Sequence, residues 1–299
     1  MKQKRTGLRS LSVLLSVCLL LSLAGFSTSA SAADDDAHTS LSRQALPPDA
    51  VLTPVLLNGE EILPGECYRM DGVTYVPLRR FCELLAPNAQ IRWESKTKTA
   101  LIQTDGLSLS VPAEQLYITA NGHVLYTVGA VKNRNGHLYV PVRPLARAFA
   151  IALDWNAATC SVALTKHDSS TFISRASYDP DALYWLSRII SSEASVEPFV
   201  GQIAVGNVVL NRVRHAQYPN TIYGVIFDRK YGTQFSPVAF GTIYNAPSES
   251  AILAAKICLE GYSVSDTALF FFNPTIAVSD WISRSCTFEF RIGAHEFYH

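Results

Sequence analysis

The chain has 299 residues, with 25 Lys and Arg against 25 Asp and Glu, and 48% of it is hydrophobic. Formal neutrality excludes the strongly basic surface of a nucleic-acid-binding protein, and the length accommodates two domains. Part of the apolar content belongs to the first 32 residues. There Lys2, Lys4, Arg5 and Arg9 form a positive segment, Leu11 to Ala24 an apolar run too short for a membrane span, and Ala30-Ser31-Ala32 a small-residue cleavage pattern. This reads as a secretory signal peptide, removed on export. No later stretch is long enough to cross a bilayer, so no permanent membrane span is expected. Five cysteines follow, Cys67, Cys82, Cys160, Cys258 and Cys286, an odd number without CxxC spacing. They are expected to be buried apolar fillers, with no disulfide and no metal cluster assigned.

Residues 33–50 are polar and punctuated by proline, a flexible spacer. An internal repeat then occupies 51–166: GVTYVPLRRFCELL from Gly72 is echoed 64 residues later by GHLYVPVRPLARAF from Gly136, and each runs into a tryptophan-bearing strand pattern. Tyr75, Pro77, Arg79 and Trp93 correspond to Tyr139, Pro141, Arg143 and Trp155. Each copy predicts a strand ending at a proline suited to a helix start, an amphipathic helix with Phe81 and Leu85 or Leu145 and Phe149 on one face, and a hairpin. The tyrosines and tryptophans are expected in the core rather than as carbohydrate platforms. The duplicated pattern resembles the copper amine oxidase N-terminal-like domain, a stalk on exported proteins. Despite that name no copper is expected, because His123 and His137 lack a third ligand.

Residues 167–179 form a second linker, and 180–299 suffice for an independent core. Asp179-Pro180 is a helix start signal, and Leu183, Leu186, Ile189 and Ile190 recur at helical spacing, so Glu193 falls at the C-terminal end of that helix. A second helix is predicted from about Glu197-Pro198, apolar on every face and therefore buried at a domain centre. A lone acid between two such helices, near the negative end of a dipole and apolar walls, has a raised pKa, as a general acid requires. Glu197, the only carboxylate close by in sequence, suits a structural role in the first turn of the second helix. That favours chemistry by one acid over the two flanking carboxylates, about 5 to 10 Å apart, of ordinary glycoside hydrolysis.

Five segments in order, EASVEPFVGQIAVGNVVLNRV from Glu193, YPNTIYGVI from Tyr218, QFSPV from Gln234, FFNP from Phe271 and RIGAHEFY from Arg291, resemble the SleB-type cell wall hydrolases, the spore-cortex-lytic enzyme family. The resemblance implies a lysozyme-like α+β domain behind a separate N-terminal α+β domain of two β-α-β-hairpin repeats. It also implies cleavage of peptidoglycan between N-acetylmuramic acid and N-acetylglucosamine by a secreted enzyme of the cell wall or spore cortex, with Glu193 as the catalytic acid. Most such enzymes are lytic transglycosylases that form 1,6-anhydro ends without water, and no cofactor is expected. Gln234, Phe235 and Ser236 in one loop, Asn273 in another, and His295 and Tyr298 in the last motif are candidate substrate contacts. The aromatics at 235 and 270–272 read equally well as core. Phe272 and Phe240 depart from the family pattern, which expects tyrosine and a polar residue there.

The terminal HEFYH satisfies the H-E-x-x-H zinc pattern, but Phe288, Phe290 and Ile292 alternate with polar residues in the manner of a strand. Residues four apart on a strand are about 13 Å apart, too far for both histidines to reach one ion. Two other readings stay open: an N-acetylmuramoyl-L-alanine amidase, and a non-catalytic wall-binding or spore-structural protein.

Overall fold

The computed structural model describes residues 46–167, 172–230, 232–277 and 280–299. The signal peptide and residues 33–45 of the spacer lie outside the described residues.

Both repeats form as their sequence predicts. Strand Val73–Pro77 runs into helix Leu78–Leu85 and then the hairpin Gln90–Glu94 with Thr99–Thr104. Strand His137–Pro141 runs into helix Val142–Ala148 and the hairpin Ala152–Asn156 with Ser161–Thr165. In each, the proline closes the strand and caps the helix, where its missing N–H costs nothing. The copies meet through their equivalent strands, antiparallel, with Val76 opposite Val140, the position 64 residues on. Phe81 and Phe149 meet edge to face at 5.6 Å inside the common core. Tyr68, Tyr75 and Tyr139 form a small buried cluster beside it.

Trp93 and Trp155, expected in the core, are instead 45% and 38% exposed. Each lies on an outermost strand of its sheet. Ile91 and Leu153, two residues earlier on the same faces, take the contact with the core, and the tryptophans lie past its edge. Cys160 likewise departs from the buried-filler reading: it is exposed, in a turn with φ 49°. Cys67, Cys82 and Cys258 are buried thiols, and none of the five described cysteines is disulfide-bonded.

The C-terminal region is built around two helices. Pro180–Ala194 starts where Asp179 accepts a hydrogen bond from the Ala182 N–H at 2.7 Å, with proline next. Phe199–Arg214 buries 11 of its 16 residues. Gly206 lets three helices approach closely: a Cβ there would lie 2.7 Å from Cys258 Sγ and 2.8 Å from an Ile190 methyl. The buried polar residues of this central helix have partners. Asn207 donates to the Tyr262 carbonyl and accepts from Val264 N–H, while Asn211 donates to the carbonyls of Ser265 and Ala268. These bonds hold the segment that leads into a three-stranded antiparallel sheet of Phe270–Phe272, His295–Tyr298 and Phe288–Ile292, with His295–Tyr298 in the middle. The HEFYH segment is thus a central strand.

The two regions pack on each other, beyond what the sequence suggests. From the hairpin Tyr117–Ala120 with His123–Tyr126, Val124 enters the core of the C-terminal region, Tyr117 meets Phe199 at 6.1 Å and Tyr126 meets Tyr262 at 4.2 Å. The buried Glu260 carboxylate receives three donors: His123 Nδ1 at 2.7 Å, Tyr178 Oη at 2.6 Å and Arg147 Nη2 at 2.5 Å. The described part of the linker is fastened down as well. Phe172 packs on Phe149, Ile173 N–H donates to the Ala148 carbonyl, and Ala176 N–H to that of Asn121.

Candidate active site

Glu193 occupies the last turn of helix Pro180–Ala194, whose end is tied down by its neighbours. The Ser191 hydroxyl accepts from Ser248 N–H at 3.0 Å, and that of Ser192 donates to the Thr242 carbonyl at 3.2 Å. The Glu193 side chain lines a cleft of about 790 Å³ with Arg212, Tyr218, Asp228, Gln234, Phe235, Phe270, Phe271 and Trp281. Its carboxyl makes no hydrogen bond or close ion pair with a described residue. Burial pushes its pKa up to about 7, and the Arg212 charge pulls the other way. Near neutrality the group is therefore divided between acid and base forms.

Arg212 is the residue that sequence reasoning missed, although a cation on a helix with apolar residues on every face was the available signal. It is only 5% exposed. Its Nε donates to the Leu269 carbonyl at 2.7 Å, and its guanidinium carbon lies 5.1 to 5.5 Å from the ring centres of Phe235, Tyr218 and Phe270. One terminal nitrogen, Nη1, is buried without a hydrogen-bond partner. A desolvated cation so fixed acts on Glu193 at low effective dielectric. Burial in turn lowers the pKa of Arg212, against which Tyr218, Asp228 and Glu193 act.

Glu197 stands in the turn before the second helix, with its carboxylate taken up by the Gly293-Ala294 turn rather than by that helix's own first turn. Its Oε2 accepts from Ala294 N–H at 2.9 Å, and its carbonyl accepts from Gln202 Nε2, so the turn after Glu193 is pinned to the Gly293-Ala294 turn. A further carboxylate, that of Asp228, distant in sequence, lines the same cleft. Its Oδ1 accepts from Lys230 N–H at 2.9 Å.

Of the candidate contacts, the structure brings Gln234 and Phe235 to Glu193. Phe235, 3% exposed, belongs to the core as well, which joins the two readings of it. Ser236 is exposed at the start of helix Ser236–Phe240, outside the cleft lining. Asn273 closes a turn, accepting from the backbone and hydroxyl of Thr275. His295 is buried behind the lining, 5.1 Å from Phe271, with Nδ1 unpartnered and its pKa lowered by burial. Tyr298 donates to Glu296 Oε2 at 2.7 Å and packs with Phe272 and Phe288, an aromatic group outside the cleft lining. Trp281, which the sequence did not single out, stands at the cleft edge, 54% exposed and edge-on to Phe270.

The donor sets suit neither metal that the sequence brings to mind. Both ring nitrogens of His123 are engaged, by Glu260 and by the Ser174 carbonyl at 3.1 Å, which does not fit a copper ligand. His295 and His299 stand at positions four apart on extended chain, and His299 Nδ1 is paired with Glu289 at 3.0 Å. No described residues form a group of three or more His, Cys, Asp or Glu able to hold an ion.

Residues 196–298 match the family model described as Cell Wall Hydrolase, and residues 56–164 match the Copper amine oxidase N-terminal domain. The first match begins three residues after Glu193. The spore cortex-lytic enzyme of Bacillus cereus is 38% identical over 120 residues, 40% of this chain and 45% of that protein. That of Bacillus subtilis is 39% identical over 112 residues, 38% of this chain and 35% of that protein. The matched region thus spans less than half the length of these relatives. Among solved structures, the catalytic domain of the germination-specific lytic transglycosylase SleB from Bacillus anthracis is 37% identical. The match covers 41% of this chain and 97% of that one, with TM-score 0.38. The C-terminal region of the chain is thus homologous to the SleB-type cell wall hydrolases, and it follows a copper amine oxidase N-terminal-like domain.

Proposed function

We propose that the chain cleaves the N-acetylmuramic acid–N-acetylglucosamine strand of peptidoglycan as a lytic transglycosylase, outside the cytoplasm, in the cell wall or spore cortex. The observation that carries this reading is one buried carboxyl, with a pKa near 7 and no hydrogen-bond partner among the described residues, in a cleft lined by aromatics. The protonated Glu193 donates to the glycosidic oxygen as the C1–O bond breaks, and the N-acetylglucosamine hydroxyl leaves. The carboxylate so formed is stabilised by the buried Arg212 charge. It then accepts the proton of the muramic acid's own C6 hydroxyl as that oxygen closes on C1, which restores the acid.

Asp228 supports a second reading. A second carboxylate in the cleft is what water activation requires, and it would make the enzyme a muramidase. Mass spectrometry of digested purified peptidoglycan distinguishes the two. The transglycosylase reading predicts 1,6-anhydro ends and an Asp228→Asn variant that still forms them. Reducing ends, with Asp228→Asn inactive, would establish the hydrolase, and free stem peptides would overturn both in favour of an amidase.

A further inference from the structure

Residues of both repeats line a pocket of about 400 Å³ that the catalytic reading does not use. Its floor includes Trp155, one of the two tryptophans that overshoot the core, with the Arg69 guanidinium 5.0 Å above the ring. Arg143, exposed, lines the same pocket. Neither guanidinium group makes an ion pair or hydrogen bond to a described residue, and among the described residues the lining contains no Asp or Glu. In a chain of zero formal charge that is a local excess of two cations.

Two further features mark the pocket as built for a ligand. The Thr127 hydroxyl, in a residue 1% exposed, is buried with no hydrogen-bond partner. Val128, next to it, is 57% exposed with φ 56°, at the centre of a three-residue turn closed by Gly129 N–H on the Thr127 carbonyl. A β-branched residue adopts that conformation only under constraint, and such outliers gather at binding sites.

A half-exposed indole offers a face to a sugar ring, and two uncompensated guanidinium groups offer forked donors to a carboxylate. We propose that this pocket is a second saccharide site, taking an amino sugar that bears a carboxylate. Equating that sugar with wall glycan, whose muramic acid carries a lactyl acid or a stem peptide ending in one, rests on the function proposed above; the chemistry of the pocket does not. Tyr126, also in its lining, packs against Tyr262 of the C-terminal region, so an occupant would brace the hairpin that joins the domains.

Indole N–H signals of the ¹⁵N-tryptophan-labelled full chain, with Trp155 assigned from a Trp155→Phe variant, report on this site apart from the catalytic cleft. N-acetylmuramic acid at millimolar concentration is expected to move the Trp155 signal. N-acetylglucosamine, which lacks only the lactyl acid, and glycerol phosphate, an anion without the sugar, are expected not to. Arg69→Gln with Arg143→Gln, both at surface positions, should weaken the response at least about tenfold while soluble glycan fragments are cleaved as before. An unmoved Trp155 signal, an equal response to the neutral sugar or to the phosphate, or a response that survives loss of both arginines would overturn the proposal. Product analysis on the same variants reads the catalytic proposal separately, so either can fail alone.

Discussion

At the scale of single residues, Glu193 and Arg212 form the working pair. Burial raises the carboxyl and the buried cation restrains that rise. Activity that needs the protonated acid should therefore fall as pH increases through about 7. Removing the cation at nearly constant volume, as in Arg212→Met, should lift the Glu193 pKa further and move the alkaline limb of kcat upward, with kcat itself lower because the carboxylate that follows proton transfer has lost its counter-charge. A pH profile that keeps its alkaline limb in that variant would show that Arg212 only fills space. Little of this pair was visible in the chain: the motif and the helix end pointed to Glu193, whereas the depth of Arg212 depends on Leu269, Phe235 and Phe270, all distant in sequence.

At the scale of elements, the site depends on two turns held together across the fold. Glu197 receives the Ala294 N–H, and Gly293, with φ 58°, leaves room for the carboxylate. A Cβ at Gly293 would collide with Glu197 Oε2 and come within 2.8 Å of Pro198. Gly293→Ala should accordingly destabilise the protein by about 1–3 kcal/mol and lower kcat/KM, since the turn after Glu193 must move. Calorimetry and turnover on one preparation check both, and unchanged values would show that the turns are independent. The elements themselves were legible. Proline-to-helix transitions, the Asp179 cap, the all-apolar central helix and the strand-like end of the chain all follow from periodicity and capping. Sequence periodicity failed where a residue's surroundings come from elsewhere, as at Trp93 and Trp155, which lie on predicted faces but beyond the core.

At the scale of the molecule, the repeat region is more than a detachable spacer. Glu260 gathers donors from the first region and the linker, and Val124 completes the C-terminal core. None of this was legible, because contacts between distant segments leave no periodic trace. Glu260→Ala removes the acceptor shared by His123, Arg147 and the part-buried Tyr178 hydroxyl, and should cost about 2–3 kcal/mol in the full chain. A fragment of residues 175–299 should melt below the full chain for the same reason, and equal melting temperatures would show that the regions stabilise each other little.

The central claim is that Glu193 performs the proton transfers, and Glu193→Gln assayed on purified peptidoglycan tests it most directly. The amide keeps the shape and removes the proton, so glycan cleavage should fall by about 10²–10⁴-fold. The fold should survive. A carboxyl whose pKa is raised on folding destabilises the protein increasingly as pH rises from the ordinary carboxyl value of 4.5 towards 7, so at pH above 7 the variant should melt no lower than the parent. Cleavage at the parent rate by a folded Glu193→Gln protein would contradict the account.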